Sequence, residues 1–298
     1  MKNYLKFSLA TVFIIFFLLF IYNSVDDMLH IPFNEFDEAH RAENVRRMKE
    51  NGSFFIPITG SPQDRIVNFS TPFKPDPFKF LYYHPERPPL VYDMMILSTS
   101  IFGDFEFAYR LPSFVLGMLT ILAFIFFAKY LSEKFNLLAF VVGLTCLITS
   151  ADLWLSSQYV QLDTGLTLFL FVALMSLISF IEKKALFWLP ISAISFALAV
   201  LSKGQPAIIF LPVLGFLVWK KKLSVRDTLK FIIYALLIII PWIAYVSTKF
   251  GLAPFLKTFS GFALSTLDND WIHHYAPFFW YMRWWWETLR PGWTLFLV

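Results

Sequence analysis

Long apolar segments separated by charged turns are the feature that most constrains the fold of this chain. A helix needs about 20 predominantly apolar residues to cross the hydrocarbon core of a bilayer. Seven segments meet or approach that length: about 5–23, 111–129, 136–155, 164–181, 185–202, 205–219 and 231–247. An eighth begins at Pro291, close to the last residue, Val298. The sequence therefore predicts an all-α, multi-pass membrane protein with about seven transmembrane helices and the start of an eighth.

The composition excludes several other classes of protein. Of the 298 residues, 57% are hydrophobic and only 15% are charged, whereas a soluble domain carries about 25% charged residues. A water-soluble domain, a disordered chain and a nucleic-acid-binding protein are therefore excluded. The single cysteine, Cys146, lies in an apolar segment, which argues against a disulfide framework and a cysteine-based metal site. No cleavage motif of small residues follows the first segment, so we expect it to remain as a span.

The distribution of charge predicts the orientation. Residues 88–103 are apolar but short, and they include Asp93. If residues 88–103 do not cross the membrane, the N-terminus and the turns at 129–135, 182–184 and 219–230 lie on the same side of it. That side then holds 11 basic and 3 acidic residues. Such an excess of basic residues is typical of the cytoplasmic side. We therefore expect 88–103 to form a helix in the outer interface.

On this topology, the polar segments face the periplasm or the exterior of an inner (cell) membrane. These segments are a loop of about 24–110, a short turn at Ser156–Asp163 and a loop of about 248–290. Loops as long as the first are usually either functional or disordered, and this one lacks the runs of charge of a disordered tail. We therefore expect the functional site on this outer face.

The first outer loop contains a predicted helix over about 36–50, with Gly52 as the residue that ends it. Asp37, Glu38 and Arg41 are expected on one side of its first turns. Two adjacent carboxylates just outside a span could supply a general base. Alternatively, they only stabilise the helix, because acidic residues are favourable near a helix N-terminus.

A second cluster lies directly before the 88–103 segment, where His84, Glu86 and Arg87 precede the proline pair Pro88-Pro89. The prolines stiffen the chain and would hold these side chains rigidly. Arginine is well suited to bind a phosphate, and a glutamate can orient a hydroxyl or bind a cation. The alternative is a solvated turn with an arginine at the membrane interface.

Charged residues also lie at the ends of later spans. Asp152 and Asp163 flank the short outer turn, and Asp163 either caps the next helix or points into a shared cavity. Lys203 is an isolated cation on the acidic outer side, where it either binds an anion such as a lipid phosphate or extends from the helix end towards water. In the last loop, the aromatic residues could line a groove for an isoprenoid chain, and His273-His274 is a weak metal signal.

Seven short motifs occur in order along the chain, and with them the chain resembles a known family. It is similar to the polyprenyl-phosphate-dependent glycosyltransferases of the multi-pass GT-C fold, which include lipid A aminoarabinose transferases and protein O-mannosyltransferases. The motifs are Phe36-Asp37-Glu38-Ala39-His40, Glu86-Arg87-Pro88-Pro89-Leu90-Val91-Tyr92, Phe102-Gly103 with Phe107-Ala108-Tyr109-Arg110-Leu111-Pro112-Ser113, Leu162-Asp163, Leu201-Ser202-Lys203-Gly204, Pro241-Trp242, and His274-Tyr275-Ala276-Pro277-Phe278-Phe279-Trp280-Tyr281.

The resemblance implies transfer of a sugar from a polyprenyl-phosphate carrier to a glycolipid, glycan or protein acceptor, with inversion at the anomeric carbon. It implies Asp37 as the general base, with Glu38 beside it in the catalytic set, and Arg87 and Lys203 as the residues that hold the phosphate. The implied lipid-linked donor needs no nucleotide. The resemblance does not decide whether a divalent metal takes part. The implied pocket residues are Arg41, His84, Glu86, Asp163 and His274.

The resemblance also implies the organisation of the chain as one GT-C-type domain over 1–298. Family members continue for several more spans, so this chain is expected to be truncated at its C-terminus. Where the aminoarabinose branch has Arg-Tyr and a lysine before the proline, this chain has His40-Arg41 and Arg87, which favours the broader family over that branch. The expected parts are a first span (5–23), an outer catalytic loop (24–110), six spans (111–247), an outer loop (248–290) and the start of a truncated span (291–298).

The main alternative is a transporter or flippase of a lipid-linked substrate, and a scaffold protein is the second. Transporters place charged residues near the membrane midplane on broken helices, often within internal repeats. Here the polar residues gather at one face, and the sequence shows no repeat. A scaffold would not need the Asp37-Glu38 pair beside an Arg-Pro-Pro turn. The sequence therefore favours the enzyme.

Overall fold

Helices form nearly all of the regular structure in the computed structural model, which describes residues 2–33, 36–59, 82–85, 87–131 and 137–265. The α-helices in these ranges are α1 (Lys2–His30), α2 (Phe36–Asn51), α3 (Leu90–Phe102), α4 (Glu106–Leu131), α5 (Leu137–Ile148), α6 (Ala151–Gln158), α7 (Asp163–Lys183), α8 (Trp188–Lys203), α9 (Phe210–Trp219), α10 (Val225–Phe250) and α11 (Leu252–Ser265). A 3-10 helix, Gln205–Ile209, leads into α9. Two short strands, β1 (Ile58–Thr59) and β2 (Tyr82–Tyr83), pair antiparallel, with Ile58 opposite Tyr83.

The predicted all-α, multi-pass membrane fold is confirmed, and helices cover each of the seven predicted apolar segments. Within the described residues, α4, α7 and α10 are each long and apolar enough to cross a membrane, and α5 with α6 would add a fourth span if counted together. α8 and the 3-10 helix with α9 are apolar but shorter. The full number of spans therefore stays a prediction.

The structure corrects three boundaries of the predicted elements. α1 continues to His30, seven residues beyond the predicted end of the first span. The predicted span 136–155 is bent by 48° between α5 and α6. The predicted outer loop 248–290 begins with a helix, α11. An apolar pattern reports which residues can lie in the membrane, but not where a helix begins, bends or ends.

The bend between α5 and α6 has a local cause. Ser150 has an extended backbone, with φ −63° and ψ 120°, which interrupts the helical hydrogen bonds. The hydroxyl of Thr149 donates a hydrogen bond of 2.8 Å to the carbonyl oxygen of Thr145. Side chains of this kind compete with the backbone for its partners and favour helix ends. After α6, the chain contacts α2 through Val160.

α3 is too short to cross a bilayer by itself, as expected for segment 88–103. Its 13 residues extend about 20 Å at 1.5 Å per residue, against a hydrocarbon core of about 30 Å. One face, with Val91, Tyr92, Met95 and Ile96, is buried in the protein. That face packs in a cluster with Val45 and Met48 of α2 and with residues of α4 and α7. α3 therefore packs α2 against α4 and α7.

A close contact between small residues packs α4 against α6. A Cβ atom added at Gly117 would overlap the hydroxyl of Ser157 and would lie 3.0 Å from its Cβ. Ser157 is fully buried. Helices inside a membrane gain little from the hydrophobic effect, so close backbone approach at small residues is a main source of their packing energy. The α4–α6 contact therefore depends on glycine at position 117.

We predict that Gly117→Ala destabilises the protein. The added methyl group must push α4 and α6 apart, and overpacking of this kind costs about 1–3 kcal/mol. The measurement is thermal unfolding of the purified protein in detergent. Gly215→Ala in α9 is the matched control, because nothing lies within 4 Å of a Cβ at Gly215. Equal stability of the two variants would contradict the proposed packing.

Candidate functional site

A polar cavity of about 290 Å³ lies where α2, the turn before α3 and the end of α8 meet. Four of the residues that the sequence predicts for the site line it together: Asp37, Arg41, Arg87 and Lys203. The other lining residues are His40, Pro88, Tyr92, Leu162, Gln205 and Pro206. The structure therefore brings together one acidic residue and three basic ones that are far apart in sequence.

Asp37 and Arg41 are one helical turn apart on α2. Asp37 Oδ2 lies 3.0 Å from Arg41 Nη2, and the Asp37 side chain is 67% exposed whereas that of Arg41 is 14% exposed. Arg41 Nη1 also donates a hydrogen bond of 2.8 Å to the carbonyl oxygen of Val160. Arg41 thus fixes the position of the Asp37 carboxylate relative to the turn before α7, while Asp37 itself stays accessible to a ligand.

Arg87 comes from the turn between β2 and α3. Its Nη1 lies 3.3 Å from His40 Nε2, and its backbone N–H donates to the carbonyl oxygen of His84. Pro88 and Pro89 are buried directly after it, which fixes the direction in which the chain enters α3. His84 donates its backbone N–H to the carbonyl oxygen of Pro57 and does not line the cavity. Its predicted pocket role has no support in this geometry.

Lys203 and Asp163 form an ion pair between the end of α8 and the start of α7, with 2.5 Å between Nζ and Oδ1. Both side chains are partly exposed, at 35% and 41%. A Cβ at Gly165 would lie 2.8 Å from the Ser202 hydroxyl, so glycine is what lets α7 approach α8 this closely. Asp163 therefore does not stand alone as a helix cap but holds Lys203.

Gly204 directs the chain away from Lys203. It has φ +77°, a conformation that favours glycine, and a Cβ there would lie 3.2 Å from Pro88 Cγ. α8 ends at this point, and the 3-10 helix with Gln205 and Pro206 begins. Lys203 thus lies in the cavity wall, directly before the glycine that packs on Pro88 of the Arg87 turn.

Glu38 does not line the cavity, although Asp37 and Arg41 in the same first turns of α2 do. Adjacent residues in a helix point about 100° apart. The Glu38 side chain is fully buried, and its two oxygens accept hydrogen bonds of 2.7 and 2.8 Å from the guanidinium of Arg110. One of them also accepts the backbone N–H of Val160. This geometry favours a structural rather than a catalytic role for Glu38.

Arg110 is the residue whose role sequence reasoning missed. Its side chain is 1% exposed, and it also donates hydrogen bonds to the carbonyl oxygens of Asp27, Ile31 and Pro32. The sequence does contain a signal, because Arg110 is a charged residue at the start of an apolar span. Charges in such positions are usually paired, but nothing local identifies Glu38, 72 residues away, as the partner.

A second polar cavity, of about 610 Å³, lies next to Asp163 on the other side of the outer turn. Asp152, Tyr159, Gln161 and Asp163 contribute polar groups to its wall. The Asp163–Lys203 pair therefore connects the two cavities. Among the described residues, no three His, Cys, Asp or Glu side chains gather as a metal site would require. Glu86 and His274, both predicted for the pocket, lie outside the described residues.

We predict that Glu38→Gln strongly destabilises the protein. Removing one partner of a buried ion pair leaves the other charge uncompensated, which costs about 3–5 kcal/mol. Thermal unfolding in detergent measures the effect. Arg46→Ala is the matched control, because Arg46 belongs to an exposed ion-pair network with Glu43 and Glu50 on α2, and exposed pairs contribute at most about 1 kcal/mol. A loss for Glu38→Gln no greater than for the control would contradict the structural role.

Comparison with known proteins identifies relatives of this chain and supports its fold. The model of the dolichyl-phosphate-mannose-protein mannosyltransferase family matches residues 86–245, more than half of the chain. An uncharacterized protein of Aquifex aeolicus (strain VF5) is 28% identical over 207 residues, which cover 69% of this chain and 46% of that protein.

Two crystal structures of ArnT from Cupriavidus metallidurans have the same fold. The apo structure has a TM-score of 0.68 at 17% identity and covers 95% of this chain and 48% of ArnT. The structure bound to undecaprenyl phosphate has a TM-score of 0.59 at 18% identity and covers 80% and 41%. The chain thus spans less than half the length of the relatives that it matches.

Proposed function

Because the chain belongs to the dolichyl-phosphate-mannose-protein mannosyltransferase family, we propose that it carries the donor site of a membrane glycosyltransferase. The proposed reaction moves a sugar from a polyprenyl-phosphate carrier to an acceptor on a glycolipid, glycan or protein. The observation that carries this proposal is the cavity in which Arg41, Arg87 and Lys203 surround one accessible carboxylate, Asp37. The relative from Cupriavidus metallidurans that binds undecaprenyl phosphate supports the choice of carrier.

The charge and size of the cavity suit a sugar phosphate. With histidine neutral, its described lining residues carry three positive charges and one negative charge. A volume of about 290 Å³ lies at the small end of the range for ligand pockets, which fits a head group rather than a long isoprenoid chain. Arg87 and Lys203 approach from two different elements, so they can contact a phosphate from two sides. Arginine adds paired, charge-assisted hydrogen bonds.

In the proposed reaction, Asp37 acts as the base of an inverting transfer. The acceptor oxygen attacks the anomeric carbon from the face opposite the phosphate, and its proton passes to the Asp37 carboxylate. The bond between the anomeric carbon and the phosphate oxygen breaks, and its electron pair remains on the phosphate. Arg87 and Lys203 stabilise the charge that develops on this leaving group. Arg41 orients Asp37 through their ion pair.

The proposed site lies on the periplasmic or outer face of the inner membrane. This assignment rests on the excess of basic residues in the turns at the opposite ends of the spans, 11 basic to 3 acidic. α2, the Arg87 turn and the ends of α7 and α8 all meet at the other side. A carrier embedded in that leaflet can reach the cavity with its phosphate while its chain stays in lipid.

We predict that Asp37→Asn abolishes sugar transfer without loss of donor binding. General-base catalysis contributes about 10²–10⁴-fold, so the rate is expected to fall by about that factor. The measurement uses the purified protein, undecaprenyl phosphate carrying radiolabelled mannose or aminoarabinose, and membranes from cells that lack the gene as acceptor. Asp26→Asn is the matched control, because Asp26 is exposed at the end of α1 and pairs with His30 instead.

Two outcomes separate the alternatives. Unchanged transfer by Asp37→Asn would falsify the role of Asp37 as the base. Movement of the labelled lipid between leaflets by the wild-type protein, without any transfer of sugar, would instead support a flippase.

We predict that Arg87→Ala weakens the binding of undecaprenyl phosphate by about 10–100-fold. A hydrogen bond to a charged group contributes about 1.5–3 kcal/mol, and a factor of ten corresponds to about 1.4 kcal/mol. Arg87→Lys retains the charge but not the paired donors, so a smaller loss is expected. Binding is measured by displacement of a fluorescent polyprenyl phosphate. Arg46→Ala, on the exposed face of α2, should bind as the wild type does, and an equal loss in that variant would contradict the assignment.

A further inference from the structure

A separate, mostly apolar cavity of about 370 Å³ lies beside the polar one. Its walls come from the segment between α2 and β1, the start of α3, the end of α8 and the middle of α10. The lining side chains include Phe55, Leu201, Ile238, Pro241 and Trp242, together with Asp93. A carboxylate in a mostly apolar wall is unfavourable unless a partner compensates its charge.

Asp93 has one side-chain oxygen that is buried without a partner among the described residues. It lies in the first turn of α3, and none of the described residues hydrogen-bonds its Oδ1, which is buried. Burial raises the pKa of Asp93 to about 7. Buried polar atoms are nearly always paired in native proteins, and an exception often marks a functional site. Within the described part of the chain, the unpaired oxygen therefore leaves a position for a hydrogen-bond donor of a ligand in the cavity.

The wall around Asp93 is held in place by specific contacts. Trp242 Nε1 donates a hydrogen bond of 3.2 Å to the carbonyl oxygen of Phe55, and its ring packs edge-on against Phe255 of α11. Trp242 is almost fully buried. A cavity with such fixed walls is preformed, and a ligand entering it has little ordering of side chains to offset.

The two cavities share one turn and the end of one helix. Pro88 and Lys203 line the polar cavity, and Pro89 and Leu201 line the apolar one. An occupant of the apolar cavity therefore lies close to the proposed phosphate site. A plain isoprenoid chain has no donor for Asp93, so it would leave Oδ1 as unpaired as before.

We propose that this apolar cavity is a binding site for an amphiphile that carries a hydroxyl or ammonium group on an apolar chain, with that group donating a hydrogen bond to Asp93. The chain would contact Phe55, Leu201, Ile238 and Trp242. The site goes beyond donor binding at the polar cavity and is tested by binding alone. Loss of transferase activity therefore has no bearing on it, and its failure would leave the proposed transferase intact.

The test uses three photoreactive probes with the same apolar chain: decylamine, decanol and decyl methyl ether, each carrying a diazirine. Only the ether lacks a donor. The purified protein in detergent is cross-linked with each probe at one fixed, mildly alkaline pH, and labelled peptides that contain Phe55, Leu201 or Trp242 are quantified by mass spectrometry. In the wild type, the amine and the alcohol are expected to label these peptides about tenfold or more above the ether, the factor that corresponds to one hydrogen bond to a charged group.

Two substitutions of Asp93 distinguish the head groups. Asp93→Leu should reduce labelling by the amine and the alcohol to the level of the ether. Asp93→Asn should retain labelling by the alcohol but lose most of the labelling by the amine, because the amide is uncharged. Asp152→Asn is the matched control, since Asp152 lies in the other cavity next to Asp163, and it should label as the wild type does.

Equal labelling of the wild type by all three probes would overturn the proposal, because the cavity would then be a purely apolar slot. Unchanged labelling in Asp93→Leu would overturn it as well. The comparison of three probes on the wild type needs no variant, so it remains decisive even if a substitution prevents folding.

Discussion

The ion pair between Arg110 and Glu38 holds α2 and the end of α1 against α4. Arg110 comes from the first turns of α4, and its guanidinium contacts Glu38 of α2 and the carbonyl oxygens of Asp27, Ile31 and Pro32 around the end of α1. Two charges buried in an apolar environment are stable only if nearly all of their hydrogen-bonding groups are paired. Because these contacts satisfy most of them, α1, α2 and α4 can meet in only a narrow range of positions.

The position of the polar cavity follows from this pair. The Glu38 carboxylate also accepts the backbone N–H of Val160, and the Val160 carbonyl accepts from Arg41. The turn before α7 is therefore tied to α2 through both sides of one peptide segment. α2 then presents Asp37 and Arg41 to the cavity that Lys203 also lines. The buried Glu38 and the accessible Asp37 are neighbours in sequence, yet one fixes the helix and the other faces the cavity.

Local signals predicted α2 well, whereas the remote contacts could not be predicted. The expected helix 36–50 is found at Phe36–Asn51, followed by Gly52 with φ +63°, because glycine at such a position ends a helix whatever surrounds it. The sequence allowed two roles each for Lys203 and Asp163. Their ion pair depends on the close packing of Gly165 on Ser202, which the sequence does not show. The partner of Arg110 lies 72 residues away, and no local pattern encodes a separation of that size.

The three cations of the polar cavity repel one another, and contacts with neighbouring side chains offset this repulsion. Arg41 pairs with Asp37, Lys203 pairs with Asp163, and Arg87 lies against His40. Each cation is held by its own element, so the positive charges remain apart around the cavity instead of collapsing onto one carboxylate. An anionic group that enters the cavity therefore meets charges that are already in position. Its attraction to them strengthens as it displaces water. This preorganisation, rather than the net charge of +4 on the whole chain, supports the proposed role of the cavity in binding a phosphate.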